Sequence, residues 1–296
     1  MTYRSILDLI GNTPLVELQR VNPNPNVKVF AKLEGNNPGG SVKDRAAYSM
    51  IKNAWDDGQI DKDTKLIEAT SGNTGIALAM IANIYGIKIE LVMPETATRE
   101  RVLTMKAYGA TVTLTPKEIS MEGARDYALA KVENEGYVML NQFGNPNNPK
   151  AHFLTTGPEI WRDTNKEVSH FVSCMGTTGT IMGTSAYLKE QNENIQIIGA
   201  QPEEGSRIPG IRRWPKEYMP TIFDEARVDR VVNVSQQQAT EMTRRLAAEE
   251  GIFAGMSSGG SAHIACQIAS ELESGIVVCI ICDRGDRYLS SQLFDI

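Results

Sequence analysis

The sequence predicts an α/β protein with two open, mostly parallel twisted sheets and flanking helices. Short apolar runs rich in β-branched residues alternate with stretches of helical periodicity along most of the 296 residues, which is typical of consecutive βαβ units. A chain of this length is long enough for two domains with substantial cores. We therefore expect a ligand site at the carboxyl ends of the strands, where open α/β sheets bind their ligands.

Each predicted strand is a short apolar run, and each predicted helix has apolar residues three or four positions apart. A further helix is predicted after the turn "NNPGG", because Ser41 and Asp44 have the spacing of a capping box and apolar residues then recur as far as Trp55. The predicted strands cover residues 27–33, 65–69, 87–93, 111–115, 137–140, 170–175, 195–200, 231–234 and 275–281. The other predicted helices cover residues 75–85, 97–108, 121–135, 179–191, 236–250 and 259–273.

The segment "NQFGNPNNPKAH" (141–152) is dense in Asn, Pro and Gly and is predicted to be a linker. It divides the chain into a smaller α/β domain over residues 40–147 and a larger one formed by residues 1–39 together with 148–296. The sequence shows no internal repeat and no low-complexity tract that would suggest another organisation.

The overall charge and hydropathy pattern indicate an enzyme-sized cytoplasmic protein. A net charge of −6 argues against binding to nucleic acid, which would require a basic face. The first residues show no basic region followed by an apolar core, so we expect no secretory signal. The longest apolar stretch, residues 76–93, is interrupted by Asn83, Gly86, Lys88 and Glu90, so we expect no membrane span.

The four cysteines are too few for a disulfide framework in a chain of this length. Cys279 and Cys282 form a C-x-x-C, a spacing that also occurs in zinc and redox sites. They lie in the apolar run "GIVVCIICD", which is predicted to be a buried strand. Residues three apart on a strand point to opposite faces, so packing in the core is favoured and no metal site is predicted.

Three Gly-, Ser- and Thr-rich loops each join a predicted strand to a predicted helix. Such a loop exposes backbone N–H groups at a helix N-terminus and favours an anion, and its hydroxyls add donors. The loop "GTTGT" (176–180) suits a phosphate best, and "TSGNTG" (70–75) suits a carboxylate, with Asn73 presenting an amide. The third loop, "SSGG" (257–260), lies in a G-x-S-x-G pattern (255–259) that also surrounds the nucleophile of α/β-hydrolases.

Simpler or different interpretations of these features stay open. Gly, Ser and Thr also make ordinary βα turns, and a solvated turn accounts for most lysines placed like Lys43, against the positive end of a helix dipole. A Ser-His-Asp hydrolase with Ser257 as its nucleophile is disfavoured, because His152 and His170 precede the serine and His263 follows it by only six residues.

Several of these stretches, taken together, resemble the cysteine synthases, a family of pyridoxal-phosphate (PLP) dependent enzymes. The stretch "KLEGNNPGGSVKDR" (32–45) resembles the segment that carries the PLP lysine. The resemblance implies PLP fold type II, similar to the β subunit of tryptophan synthase, with PLP bound by the larger domain and substrate by the smaller. Further similar stretches are "IGNTPLV" (10–16), "EATSGNTG" (68–75), "GTTGT" (176–180) and "GMSSGG" (255–260), while "EEGSRIPGIRRWP" (203–215) and "ICDRGDRYLS" (281–290) resemble the B-type members.

The resemblance implies a role for each residue that matches a family motif. Lys43 forms the Schiff base with PLP and, once released by substrate, is the base for the α-proton. Asn73 hydrogen-bonds to the ring oxygen of PLP, and Ser257 meets its pyridine nitrogen. The phosphate of PLP is held by Gly176, Thr177, Thr178, Gly179 and Thr180. The carboxylate of the substrate is held by Thr70, Ser71, Gly72, Thr74 and Gln142.

The implied reaction is β-elimination of acetate from O-acetyl-L-serine, followed by addition of sulfide or thiosulfate to the enzyme-bound aminoacrylate to give L-cysteine or S-sulfocysteine. A serine hydroxyl opposite the pyridine nitrogen does not enforce ring protonation, which suits β-elimination. Arg212 and Arg213 match an anionic sulfur donor because guanidinium groups bind oxyanions in a fork geometry, although a solvated loop is the alternative for this pair. The resemblance also implies a homodimer.

Other functions remain compatible with the sequence. A serine or threonine dehydratase or a cystathionine-forming enzyme would share the PLP fold, and a protein kept mainly as a binding partner would share it without the activity. The intact Lys43 and the three loops argue against a binding partner. A dehydratase would deaminate serine or threonine without needing a sulfur donor, which distinguishes it.

Overall fold

The computed structural model describes residues 2–295. The strands in this range are β1 (Leu15–Glu17), β2 (Val27–Leu33), β3 (Lys65–Ala69), β4 (Lys88–Pro94), β5 (Thr111–Thr115), β6 (His170–Cys174), β7 (Gln196–Pro202), β8 (Arg230–Val234) and β9 (Gly275–Ile281). They form a six-stranded sheet in the order β1-β2-β9-β6-β7-β8 and a three-stranded sheet in the order β3-β4-β5. Of these pairings only β1 with β2 is antiparallel. The predicted α/β fold with two mostly parallel sheets is confirmed.

The helices flank these two sheets. None of the helices within residues 2–295 is long and apolar enough to cross a membrane. The α-helices in that range are α1 (Lys43–Asp56), α2 (Asn73–Tyr85), α3 (Arg99–Ala107), α4 (Ser120–Glu135), α5 (Asn147–Leu154), α6 (Thr156–Asp163), α7 (Gly179–Gln191), α8 (Gln236–Glu250) and α9 (Met256–Glu271).

Strand β9 is apolar along its whole length because helices cover both faces of the six-stranded sheet. Val277, Cys279 and Ile281 belong to the core on the side of α8 and α9, whereas Val278 and Ile280 belong to the core on the side of α6 and α7. This alternation is the period of two expected for a strand. It places Cys279 in the core, as predicted, and the cysteines are free thiols.

The three-stranded sheet is also covered on both faces. Helices α1 and α2 pack on one face and α4 packs on the other. The strands of this sheet lie within the predicted smaller domain, residues 40–147, although the domain limits themselves stay a prediction. The first core includes Met50, Ile51, Leu66 and Leu91, and the second includes Ile67, Val92, Ala124 and Ala128.

The predicted linker and one predicted strand differ from the structure. Helix α5 begins inside segment 141–152 and α6 follows it, because Pro149 falls in the first turn of α5, where proline is tolerated. Residues 137–140 form only an isolated parallel bridge between Leu66 and Val138 instead of a strand. The short strand β1 was not predicted, since three residues are too few to show a period.

The predicted capping box at the start of α1 is wrong. The helix begins at Lys43 with Val42 as its N-cap, and Val42 supplies no side-chain cap. The Ser41 hydroxyl accepts the Lys43 N–H at 3.2 Å, but the Asp44 carboxylate accepts the N–H of Gly39 rather than that of Ser41. Asp44 therefore closes the Pro-Gly-Gly turn instead of capping its own helix.

Candidate active site

Lys43 lies at the first residue of α1, next to the carboxyl end of β9. The Val42 N–H donates to the Cys282 carbonyl at 2.9 Å, and Ser41 forms a β-bridge with Asp283. These contacts hold the turn before the lysine against the end of the strand. Within residues 2–295 the Lys43 amine has no hydrogen bond or ion pair, so it is available for covalent chemistry.

The Cys282 thiol connects Lys43 with Ser257, the second residue of α9. Burial raises the pKa of Cys282 to about 11, while the charge of Lys43 and a hydrogen bond with Ser257 act in the opposite direction. Ser257 is buried, and its carbonyl accepts the Cys174 thiol at 3.1 Å. Among the described residues no histidine hydrogen-bonds to the Ser257 hydroxyl, so the hydrolase alternative lacks its base.

The loop 176–180 forms an anion cradle at the N-terminus of α7. Thr178 is the N-cap and has φ of 70°, a left-handed conformation that is strained for a β-branched residue. Its hydroxyl is buried and has no hydrogen-bond partner among residues 2–295. A strained loop at a helix N-terminus, with a buried donor that has no partner among the described residues, is suited to bind a phosphate.

Two glycines of the cradle are required by close packing. A Cβ on Gly179 would lie 1.9 Å from Asn148 Oδ1, and a Cβ on Gly176 would lie 2.5 Å from the Gly210 carbonyl. Neither neighbour can move freely, because one belongs to α5 and the other to the backbone of the 208–213 loop. Because Gly176 and Gly179 carry no Cβ, the loop 176–180 can pack closely against Gly210 and Asn148.

Helix α5 supports the cradle through two side chains one turn apart. Asn148 Nδ2 donates to the Thr177 hydroxyl at 3.2 Å, and His152 Nε2 lies 3.3 Å from the Thr180 hydroxyl. Burial lowers the pKa of His152 to about 3, and the charge of Arg45 acts in the same direction. His152 is therefore a neutral imidazole that joins the cradle to the rest of the fold by hydrogen bonds.

The loop 70–75 is connected to the cradle through Gln142. The Thr74 hydroxyl donates to Gln142 Oε1 at 2.8 Å, and the Gln142 carbonyl accepts Asn148 Nδ2 at 2.8 Å. Thr70 is buried in the same loop, whereas Ser71 and Gly72 are half-buried. Two residues predicted to hold a carboxylate, Thr74 and Gln142, are thus in direct contact.

Asn73, the first residue of α2, is held by the segment that follows β9. Its Nδ2 donates to the Asp283 carboxylate at 2.7 Å, and the Arg287 guanidinium donates to its Oδ1. The Tyr288 hydroxyl donates to the same Asp283 oxygen at 2.6 Å. The other oxygen of Asp283 is buried and has no partner among the described residues.

The two arginines predicted to receive a sulfur donor point in different directions. The Arg212 guanidinium lies over the Trp214 ring at 5.2 Å, and Trp214 Nε1 donates to the Gly176 carbonyl at 2.7 Å. Arg212 is thereby next to the anion cradle and exposed. Arg213 instead donates to Asn233 Oδ1 on β8 at 3.5 Å.

The structure thus gathers most of the predicted site residues at the carboxyl ends of the strands, and Arg213 is the exception. Their individual roles stay predictions. Sequence reasoning considered His152 as the base of a disfavoured hydrolase and gave no role to Asn148, Asp283 or Arg287. One feature of the sequence could have indicated a role for His152. It is a polar residue four positions after Asn148, which is about one turn of helix α5.

Comparison with known proteins identifies the family. The profile of the family described as pyridoxal-phosphate dependent enzyme matches residues 6–283. Because this match covers most of the sequence, the chain belongs to the pyridoxal-phosphate dependent enzymes.

Among the described residues no group of His, Cys, Asp and Glu is arranged to hold a metal ion.

Individual relatives are similar over nearly their whole length. The chain is 58% identical to cysteine synthase B of Pseudomonas aeruginosa, covering 99% of this chain and 98% of that protein. It is 57% identical to cysteine synthase B of Salmonella typhimurium, covering 96% and 94%. Among solved structures, cysteine synthase from Entamoeba histolytica superposes with a TM-score of 0.94 at 38% identity, covering 100% and 92%.

The residues of the site fit PLP. Within the part of the chain that the structure describes, the amine of Lys43 has no hydrogen bond or ion pair, as suits an amine that links to an aldehyde. The Thr178 hydroxyl of the cradle is buried and has no partner among the same residues, which suits a phosphate. Both orphaned groups lie in one region, and together they match the two ends of the cofactor.

Proposed function

We propose that this chain is a PLP-dependent cysteine synthase. It removes acetate from O-acetyl-L-serine and adds sulfide or thiosulfate, which gives L-cysteine or S-sulfocysteine. The proposal is carried by one observation: within residues 2–295 the Lys43 amine has no hydrogen bond or ion pair, and the buried Thr178 hydroxyl of the cradle 176–180 has no hydrogen-bond partner. Identities of 58% and 57% to cysteine synthases B support this reaction over the dehydratase and cystathionine-forming alternatives.

Bound PLP supplies an electron sink that makes the α-proton of the substrate acidic and its acetate group able to leave. Lys43 binds the cofactor covalently and, when released, takes the α-proton on its Nζ as general base. Ser257 offers a neutral hydroxyl to the pyridine nitrogen and leaves the ring without an enforced proton.

Thr70, Ser71, Gly72, Thr74 and Gln142 bind the substrate carboxylate in this proposal. Backbone N–H groups at the start of α2 are oriented toward an anion, and the Thr74 hydroxyl has an alternative partner already in place at Gln142. Exchange of that hydrogen bond for one to the carboxylate would leave no buried donor unpaired. The loop 70–75 can therefore bind an anion, and in the absence of one the Thr74 hydroxyl keeps its hydrogen bond to Gln142.

The test of this function is the visible absorption of the purified holoenzyme. A band from the linked cofactor is expected to shift when O-acetylserine is added and to return when sulfide or thiosulfate follows, with acetate released in the first step. Product analysis should find cysteine with sulfide and S-sulfocysteine with thiosulfate. A band that does not respond to O-acetylserine, together with deamination of serine or threonine, would support a dehydratase instead.

Arg212 is proposed to receive thiosulfate at the mouth of the site. It is exposed and held over Trp214, which positions the guanidinium without neutralising it. Arg212→Ala is expected to lower kcat/KM for thiosulfate by about tenfold or more, the size of one lost charge-assisted hydrogen bond, and to change kcat/KM for sulfide little. Steady-state kinetics with each donor measures the ratio.

Arg213→Ala is the matched control for that prediction. Arg213 is the next residue in the same loop, yet its side chain reaches Asn233 on β8. The donor preference of Arg213→Ala should therefore match that of the parent protein. Equal losses with sulfide and thiosulfate in Arg212→Ala would contradict the proposed role.

We also propose that the protein is a cytoplasmic homodimer whose smaller domain, residues 40–147, binds the substrate. The dimer and the domain roles are supported by the resemblance to the cysteine synthases. The cytoplasmic location is supported by its free cysteines.

A further inference from the structure

The segment after β9 returns to the start of α2 and holds Asn73 at both ends of its amide. The Arg287 guanidinium donates to Asn73 Oδ1 and also to the Gly39 carbonyl. The Asp283 carboxylate accepts Asn73 Nδ2 at 2.7 Å. These partners stand 214 and 210 positions from Asn73 in the chain, so the contacts join distant parts of the sequence at the site.

The chemistry of these partners determines which way the amide of Asn73 points. A guanidinium has donors only, so Arg287 must face the amide oxygen. A carboxylate accepts, so Asp283 must face the amide nitrogen. Asn73 Nδ2 carries two N–H groups, and Asp283 uses one of them, which leaves the second as a donor for another ligand.

We propose that Arg287 is a positioning residue which, together with Asp283, orients the Asn73 amide so that its second N–H faces the ring oxygen of the cofactor. This inference rests on the proposed function and deepens it. Arg287 does not touch the reacting atoms in this scheme; it acts through Asn73.

Arg287 also ties the turn before Lys43 to the same point. It donates to the Gly39 carbonyl, and the Gly39 N–H donates to the Asp44 carboxylate on α1. One guanidinium thus connects the loop that carries the lysine with the loop that carries Asn73. The charged and titratable groups around it are Asp44, Asp283 and Tyr288, and the same cavity of about 280 Å³ is also lined by Glu100, Arg101, Tyr108, Arg284 and Asp286.

The orientation has a consequence for the cofactor. A donor at the ring oxygen favours its anionic form, whereas an amide turned the other way would present an oxygen and disfavour it. Without Arg287, the Asn73 side chain loses the contact that distinguishes the two orientations. The ionisation of the ring oxygen should then shift toward higher pH.

A pH titration of the visible absorbance of the holoenzyme tests this inference. In Arg287→Met, the midpoint of the absorbance change is expected to rise by about one to two pH units, the size of one lost hydrogen bond to a charged group. Arg287→Lys should restore part of the shift, since an ammonium still donates but lacks the fork geometry. PLP affinity, measured by equilibrium dialysis, should fall in the same order.

Arg284→Met is the matched control, because Arg284 lies in the same segment but pairs with Asp286 at 2.9 Å and is exposed. The midpoint of the absorbance change in Arg284→Met should equal that of the parent protein. The inference is overturned if folded Arg287→Met has the parent midpoint. It is also overturned if Arg287→Met shifts the midpoint further in an Asn73→Ala background, since Arg287 would then act on the cofactor without Asn73.

If Arg287→Met does not fold, Arg287→Gln and Arg287→Lys are titrated in its place, and an unchanged midpoint in both overturns the inference. Failure of the proposed function gives a different result. In that case the parent protein itself would show no visible band that responds to O-acetylserine. A responsive parent with unshifted variants would reject only the role of Arg287.

Discussion

A Lys43→Ala variant is expected to lose cysteine synthesis by about 10²-fold to 10⁴-fold from the loss of the general base alone, with a further loss from the missing covalent link. The variant should nevertheless fold. The Lys43 amine has no hydrogen bond or ion pair within residues 2–295, so its removal leaves no buried group without a partner.

Peptide mapping after borohydride reduction measures the covalent link directly. In the parent protein, reduction should fix the cofactor to the peptide that contains Lys43, and in Lys43→Ala no such peptide should appear. Lys52→Ala is the matched control, because Lys52 lies on the same helix, is exposed, and pairs only with Asp56 one turn later. Full activity in Lys43→Ala, or a label on another lysine, would remove Lys43 from the mechanism.

The regular part of the fold could be predicted because its pattern is local. Strands buried on both faces read as continuous apolar runs, and β9 matches its predicted range of 275–281. Helices α7 and α8 also match their predicted ranges, 179–191 and 236–250. In these elements the residues that determine the structure are neighbours in sequence, so a window of ten to fifteen residues contains the signal.

Helix α5 could not be predicted because its sequence, "NNPKAHFL", favours turns locally. Tertiary contacts override that preference: Asn148 and His152 are buried against the anion cradle, and Ala151 packs in the interior. Local propensity is a weak prior when buried contacts of this kind compensate for it. A segment that looks like a linker thus carries the support of the phosphate loop.

The candidate site was predictable where one loop carries the chemistry and not where distant segments meet. The cradle at residues 176–180 could be predicted directly from its glycines and hydroxyl-bearing residues. The contact of Arg287 with Asn73 depends on the path of the chain between them, which no sequence window contains. The predicted capping box failed for a local reason instead: Asp44 has the right spacing for Ser41, but its carboxylate accepts the N–H of Gly39, five positions earlier.

The second large effect is expected from the buried ionic cluster beneath α1. Arg45 donates to Glu34 Oε2 and Glu159 Oε1, each at 2.7 Å, and all three side chains are almost fully buried. Lys32, also fully buried, pairs with the other oxygen of Glu159 at 2.7 Å. The cluster connects β2, α1 and α6, and it holds Arg45 two residues from Lys43.

Arg45→Met is expected to lower the free energy of unfolding by about 3–5 kcal/mol, because it removes the cation that pairs with buried Glu34 and one of the two cations that pair with Glu159. Urea denaturation at pH 7.5 measures this loss. Arg230→Met is the control, since Arg230 pairs with Glu271 at 2.6 Å on the surface and exposed pairs contribute about 1 kcal/mol or less. If Arg45→Met and Arg230→Met lost equal free energy of unfolding, burial of the Arg45 pairs would not explain the effect.

The effect of Arg45→Met should also depend on pH in a defined direction. Although burial raises it, the hydrogen bonds and charge of Arg45 lower the pKa of Glu159 to about 2, from an ordinary value of 4.5. A carboxyl with a lowered pKa stabilises the fold fully above 4.5 and loses that contribution as the pH falls toward 2. Lys32 also lowers this pKa, but in Arg45→Met the part due to Arg45 is lost, so the gap in unfolding free energy between parent and variant should narrow below pH 4.5. A gap that stayed constant from pH 7 to pH 3 would show that Arg45 stabilises the fold by packing rather than by its charge.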